Sequence, residues 1–125
     1  MSQDIVADTL NQIMNAKRAG HTSVSVKKHS KFLTSVLSIG KLKGYIKDFR
    51  VNGRNLDIEL GDKLNSCLAV KPRHLVKAEE IMKYVRRYLP SRHMGFVVIS
   101  TSKGLMTHHT AIEKGIGGSI IAYFY

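Results

Sequence analysis

A single cysteine, Cys67, stands in this 125-residue chain, so no disulfide can close within it. Acidic residues are scarce as well: nine Asp and Glu face 20 Lys and Arg, which leaves a net charge of +11. There is no long hydrophobic span and no lipidation signal, and the opening "MSQDIVADTL" lacks the basic and apolar regions of a secretory leader. Together these absences exclude a disulfide scaffold within the chain and speak against a membrane anchor. The expected setting is reducing and cytoplasmic, with no membrane among the partners. Cys67 lies among Leu68, Ala69 and Val70 and reads as a small core residue rather than a reactive thiol.

Several catalytic and cofactor signatures are missing too. Neither Gly-x-Gly-x-x-Gly nor Gly-x-x-x-x-Gly-Lys-Ser/Thr occurs, so nucleotide binding has no support, and no other cofactor is called for. His108 and His109 are adjacent and point to different faces. His21, His29, His74 and His93 have no carboxylate or cysteine at ligand spacing, so no metal site is expected. Zinc fingers, a helix-turn-helix dimer pattern and the aromatic RNA-recognition signature are likewise absent.

What is present is a balanced composition, 43% hydrophobic and 23% charged, which fits a folded chain. A chain of this length buries about two-thirds of its unfolded surface. The basic excess is spread through the body: residues 1–65 carry 11 basic and 6 acidic residues, and residues 66–125 carry 9 and 3. Such a distribution suits several basic faces turned toward a large polyanion.

The periodicities predict an α+β protein of two small subdomains. In "DIVADTLNQIMNAKRAG" Val6, Leu10, Ile13 and Met14 recur at helical spacing, with Asp4 as the cap and Gly20 as the stop. "TSVSVKK" alternates as a short strand. Ser30 can cap a second helix whose Phe32, Leu33, Val36, Leu37 and Ile39 form a broad apolar face, with Gly40 weakening its last turn and Gly44 ending it. "YIKDFRV" and "NLDIEL" flank Asn52-Gly53, a strong hairpin signal. The expected N-terminal domain, 1–65, therefore runs α-β-α-β-β. The C-terminal domain, 66–125, is expected to be mostly β: a strand broken at Pro72, one added helix in "KAEEIMKYVRRYL", a buried strand "GFVVIST" and a closing strand "GSIIAYFY". "THHTAIEK" reads as a turn or a short helix, and no linker separates the two halves.

The stretch "ISTSKGLMT" joins an apolar strand to hydroxyls, a lysine and a glycine, and "KGIGG" follows shortly after. Ser100 and Lys103 match the Ser-x-x-Lys spacing of a lysine-activated serine hydrolase, but that chemistry needs both on one helix. A strand precedes Ser100 and Gly104 breaks any helix, so no catalytic residue is assigned. In "KGIGG" the glycines can form a tight turn with positive φ, or let bare backbone approach a sugar-phosphate chain. Between Lys71 and Lys103 eight basic residues, Arg73, Arg86, Arg87 and Arg92 among them, face two acidic ones, a field whose binding to phosphates falls steeply with salt. Hydroxyls both donate and accept hydrogen bonds, so Ser100, Thr101 and Ser102 suit base edges and ribose 2′-hydroxyls of an irregular RNA stem. From the residues alone, a non-specific basic nucleic-acid-binding protein remains the alternative.

The ending "ISTSKGLMTHHTAIEKGIGGSIIAYFY" resembles the C-terminal signature of the universal small-subunit ribosomal protein eight family, the S-eight family. Supporting segments are "DIVADTLNQIMNAKRAGHTSVSV", "SKFLTSVL" with "GYI", and "LNSCLAVKPR". The helical stretch before "GFVVIST" is similar to the archaeal and eukaryotic branch. The resemblance implies a ribosomal protein that binds the central domain of small-subunit rRNA during assembly and works beside neighbouring small-subunit proteins. It implies RNA contact by Ser100, Thr101, Ser102, Lys103 and Gly104, with Glu113, Gly117 and Gly118 shaping or lining the same RNA-binding surface, and with Asn15, Lys17, Arg18 and Lys31 as further N-terminal candidates. Ile112 stands where many members carry an arginine, and Ile5 where a proline or alanine is commoner.

Overall fold

The computed structural model describes residues 5–70, 75–91 and 94–125. Asp4, Lys71, Pro72, Arg73, His74, Arg92 and His93 lie outside the described residues, and the expected cap at Asp4 with them. The chain forms two compact units, Met1–Leu68 and Ala69–Tyr125.

In the first unit helix α1 (Ile5–Arg18) is followed by strand β1 (Ser23–Val26), helix α2 (Lys31–Leu42) and strands β2 (Ile46–Asn52) and β3 (Asn55–Leu60), the α-β-α-β-β order that the periodicities predict. The antiparallel sheet has the order β1-β3-β2. Strict alternation in β3 puts Leu56, Ile58 and Leu60 inside and Asn55, Asp57 and Glu59 outside. Leu10 and Ile13 of α1 and Leu33, Val36 and Leu37 of α2 are also buried, so each helix turns its apolar stripe inward. Ser30 caps α2 through a 3.1 Å bond from the Leu33 N–H. The helix continues through Gly40, which is itself buried.

Hairpin β2–β3 pairs Asn52 with Asn55, so its two-residue loop is Gly53-Arg54 rather than Asn52-Gly53. Gly53 supplies the positive φ, 64°, that the first loop position requires. Cys67 is buried; its N–H lies 3.3 Å from the Met14 sulfur and its thiol 3.9 Å from the Leu10 carbonyl oxygen. Burial pushes the thiol up to about 12.

Strand β4 (Cys67–Ala69) carries the chain across the division. Beyond it lie β5 (Leu75–Val76), a 3₁₀ turn (Ala78–Glu80), α3 (Ile81–Tyr88), β6 (Phe96–Thr101), β7 (Gly104–Thr107), α4 (His108–Lys114) and β8 (Gly118–Phe124). Here β8 pairs with both β5 and β6, and β6 pairs in turn with β7, all antiparallel. Ile81 and Val85 of α3, Ala111 of α4, and Val97, Ile99, Met106 and Ile120 of the sheet share one apolar cluster. Phe96 and Phe124, paired across β6 and β8, stack with centroids 5.0 Å apart.

Of the two readings of "THHTAIEK", a turn or a short helix, the structure shows the helix, capped by Thr107, so the unit holds two α-helices. "GLMT" is a strand: β7 returns along β6 through the two-residue turn Ser102-Lys103, with Thr101 opposite Gly104 and Val98 opposite Thr107.

Candidate nucleic-acid interface

Hairpin β6–β7 gathers five of the sequence-predicted residues at one tip. Ser100 and Thr101 end β6, Ser102 and Lys103 form the turn, and Gly104 opens β7 with φ 109°. Their hydroxyls are not equivalent. The Thr101 hydroxyl donates to the Gly104 carbonyl oxygen at 2.9 Å and accepts from the Lys103 N–H at 3.1 Å. It is therefore a brace of the turn, already engaged on both sides. Among the described residues neither Ser100 nor Ser102 has a side-chain hydrogen bond, so these two hydroxyls carry the free donor and acceptor capacity of the tip. Lys103 projects beside them into solvent.

Register adds a residue that linear reading missed. Ser100 pairs with Leu105 on β7 and with Ser119 on β8, and Ser119 pairs with Leu75 on β5. Directly opposed residues share a sheet face. One row across the sheet therefore reads Leu75, Ser119, Ser100, Leu105: two hydroxyls between two leucines, with Leu75 84% exposed. Ser119 is 19 positions from Ser100 in sequence, and only the strand pairing brings them together.

The three glycines do not share the positive φ expected of a tight turn. Of the three in "KGIGG", Gly115 alone has positive φ, 68°, and it ends α4 as a left-handed cap. Gly117 and Gly118 are needed for close approach within the protein itself. A Cβ at Gly118 would overlap the Ser100 carbonyl oxygen, and one at Gly117 would overlap the Val76 carbonyl oxygen and lie 2.9 Å from the Lys77 Cα. The side on which a Cβ would stand is occupied by the chain's own backbone, so Gly118 allows β8 to approach β6 and Gly117 allows the chain to pass the Val76–Lys77 backbone.

Glu113 is exposed on α4. That helix is capped by Thr107, whose hydroxyl oxygen accepts from the Thr110 N–H at 3.4 Å. His108 is buried, and its Nδ1 accepts the Val97 N–H at 3.0 Å, so that nitrogen carries no proton. His109, next to it, is exposed.

Asn15, Lys17 and Arg18 lie in the last turns of α1, and Lys31 is the first residue of α2; all four belong to the first unit. Lys17 and Arg18 suit the negative end of their helix dipole. Lys31 sits at the positive end of its own, where a cation gains nothing. Among the described residues no hydrogen bond or ion pair joins Lys31 to the other three. The outer face of the first sheet carries the carboxylates Asp48, Asp57 and Glu59. Asp57 lies opposite Arg50 and Glu59 opposite Asp48, and Asp48 is bonded to Lys41 at 3.0 Å. The Lys41 hydrogen bond, helped by the Phe49 N–H, holds the Asp48 carboxyl below its usual value.

The hydrolase alternative fails on this geometry. Ser100 is in a strand and Lys103 in a turn, and no hydrogen bond links their side chains. Among the described residues no group of three or more His, Cys, Asp or Glu is placed to hold a metal ion, and no helix is long and apolar enough to cross a membrane.

Known proteins give the family. The family described as Ribosomal protein S8 matches residues 4–125. The chain is 40% identical to the small ribosomal subunit protein uS8 of Nanoarchaeum equitans over 129 aligned residues, with both chains fully covered. It is 42% identical to uS8my of Arabidopsis thaliana over 130 residues, again with full coverage of both. It is also 37% identical to uS8A of Schizosaccharomyces pombe, covering 98% of each. With a family match along nearly its whole length and full-length relatives in archaea, plants and fungi, the chain belongs to the ribosomal protein S8 family, a family of structural ribosomal proteins rather than enzymes.

Proposed function

We propose that this chain is a structural constituent of the small ribosomal subunit that binds the central domain of small-subunit rRNA, supports subunit assembly and translation, and works in the cytoplasm beside neighbouring small-subunit proteins. Residues 66–125 form the rRNA-binding domain, and residues 1–65 the N-terminal domain that adds Asn15, Lys17, Arg18 and Lys31 as phosphate and sugar contacts. The observation that carries this reading is the β6–β7 tip, where Ser100 and Ser102 offer unengaged hydroxyls beside Lys103 on a turn braced by Thr101. Phosphate contacts from the distributed lysines and arginines orient the protein, and the hydroxyl row reads an irregular stem through base edges and 2′-hydroxyls. Gly104 gives the turn its shape, Gly117 and Gly118 hold β8 against it, and Glu113 borders the same surface.

The test compares affinity for the central-domain rRNA stem with that for a perfect RNA duplex of equal length over several salt concentrations. The stem is expected to bind more tightly at every concentration, with similar salt slopes for the two. Equal affinities would sink the specific reading and leave a non-specific basic nucleic-acid-binding protein.

A further inference from the structure

Four of the five tyrosines in the chain fall in the second unit, and all four pack at the margin of its apolar cluster. Tyr123 of β8 lies between two others: Tyr88, the last residue of α3, at 5.3 Å and 17°, and Tyr125, just beyond β8, at 6.0 Å and 3°. The rings form a near-parallel ladder whose end members, Tyr88 and Tyr125, are half-buried. Gly95 fixes the Tyr125 end: its φ is 83°, and a Cβ there would overlap the Phe124 carbonyl oxygen and lie 2.7 Å from the Tyr125 Cβ. One turn back on α3, the Arg87 guanidinium sits 5.2 Å from the Tyr84 ring, and Arg86, Arg87 and Lys83 are all exposed.

A core needs apolar edges, but it does not need phenols at its margin with arginines on the same short helix. Parallel rings with a partly open end offer a π-face of the kind on which a nucleobase stacks, and exposed guanidinium groups hold the phosphates on either side of it. The hydroxyl tip offers no such face, since its row contains no aromatic ring. We infer that the Tyr88–Tyr123–Tyr125 ladder, with Arg86 and Arg87, is a second RNA-contact surface that takes an unpaired nucleotide by stacking it on an end ring. It rests on the reading that the partner is RNA, and it adds single-strand recognition to the stem recognition proposed for the tip.

The absence of tryptophan makes the test direct. In the Tyr125→Trp chain the indole is the sole such fluorophore, and titration with an eight-nucleotide single-stranded oligoadenylate is expected to quench it to saturation, while an RNA duplex of equal length quenches little. Tyr125→Leu should weaken oligoadenylate binding by the full chain about tenfold, and Tyr125→Phe should leave it near the parent value. Equal quenching by duplex and single strand, or unchanged affinity in Tyr125→Leu, overturns the proposal. An indole that stays unquenched overturns it too, and points to a protein occupant for the ladder. The two surfaces fail separately: the Ser100→Ala, Ser102→Ala double variant should lose preference for the rRNA stem and keep the single-strand quenching. If the stem shows no preference while quenching persists, the tip reading falls and the ladder stands.

Discussion

Among the described residues, hairpins β2–β3 and β6–β7 are both closed by two-residue turns, and they solve the same geometric problem in opposite ways. In β2–β3 the turn is Gly53-Arg54, and the glycine inside the loop supplies the positive φ. In β6–β7 the turn is Ser102-Lys103, with the glycine displaced to the next position and the Thr101 hydroxyl tying both sides together. A glycine in a loop gives shape but no functional side chain. By moving the glycine to position 104 and bracing from position 101, the second hairpin frees both loop positions to carry a hydroxyl and an ammonium into solvent. The first is a connector, and the second presents chemistry.

Substitutions can break that contrast. The largest effect is expected at Gly118→Ala, where a Cβ collides with the backbone carbonyl of Ser100 and nothing flexible is there to give way. Destabilisation of about 3 kcal/mol is expected, read by denaturant unfolding; an unchanged midpoint would mean that β8 does not depend on that close approach. Thr101→Val keeps the shape and removes both brace bonds. It should cost about 2 kcal/mol and weaken rRNA-stem binding about tenfold, whereas Thr101→Ser should recover most of both. Gly53→Ala in the first hairpin should cost about 1 kcal/mol from its left-handed backbone, with rRNA-stem affinity unchanged; a loss of affinity there would erase the distinction between connector and presenter.

The smallest effect concerns Asp48, on β2 of the first hairpin. Its carboxyl is held below the usual value of 3.8 chiefly by the Lys41 hydrogen bond. A depressed folded-state value means that the contribution is present above the unfolded value and is lost as pH falls through the folded one. Lys41→Met should therefore flatten the acid limb of a stability-versus-pH curve slightly and leave the neutral region almost unchanged. The pair is half-exposed, and surface pairs of this kind are weak.

The difference between the hairpins also explains what the sequence could reveal. Helices α1 and α2, the Ser30 cap and strand β3 follow from local periodicity and capping chemistry, and each was legible in a window of a few residues. Strand β7 was not: "GLMT" has four residues, begins with the glycine that shapes the turn and ends with the threonine that caps a helix, so its extended state comes from pairing with β6. The hydroxyl cluster could be read as a composition. The division of labour within it could not, because whether Thr101 points inward depends on the turn, and Ser119 joins Ser100 only through the register of β8. Likewise "KGIGG" announced close backbone approach, but that the Ser100 carbonyl lies against Gly118 follows only from the pairing of β6 and β8.

Thr107 is at once the last residue of β7 and the cap of α4, with no residue between strand and helix. In kinetic terms, every pairing from Thr101 opposite Gly104 to Val98 opposite Thr107 closes a loop of fewer than about ten residues, the cheapest class of loop to close. The turn, the returning strand and the short helix can therefore assemble as one local event, ahead of β8, whose pairing with β6 spans a longer stretch. Pulse-labelled amide exchange during refolding should show protection in β7 preceding protection in β8; simultaneous protection would contradict this order. The tip proposed to meet the RNA would then exist in outline before the sheet that supports it is complete.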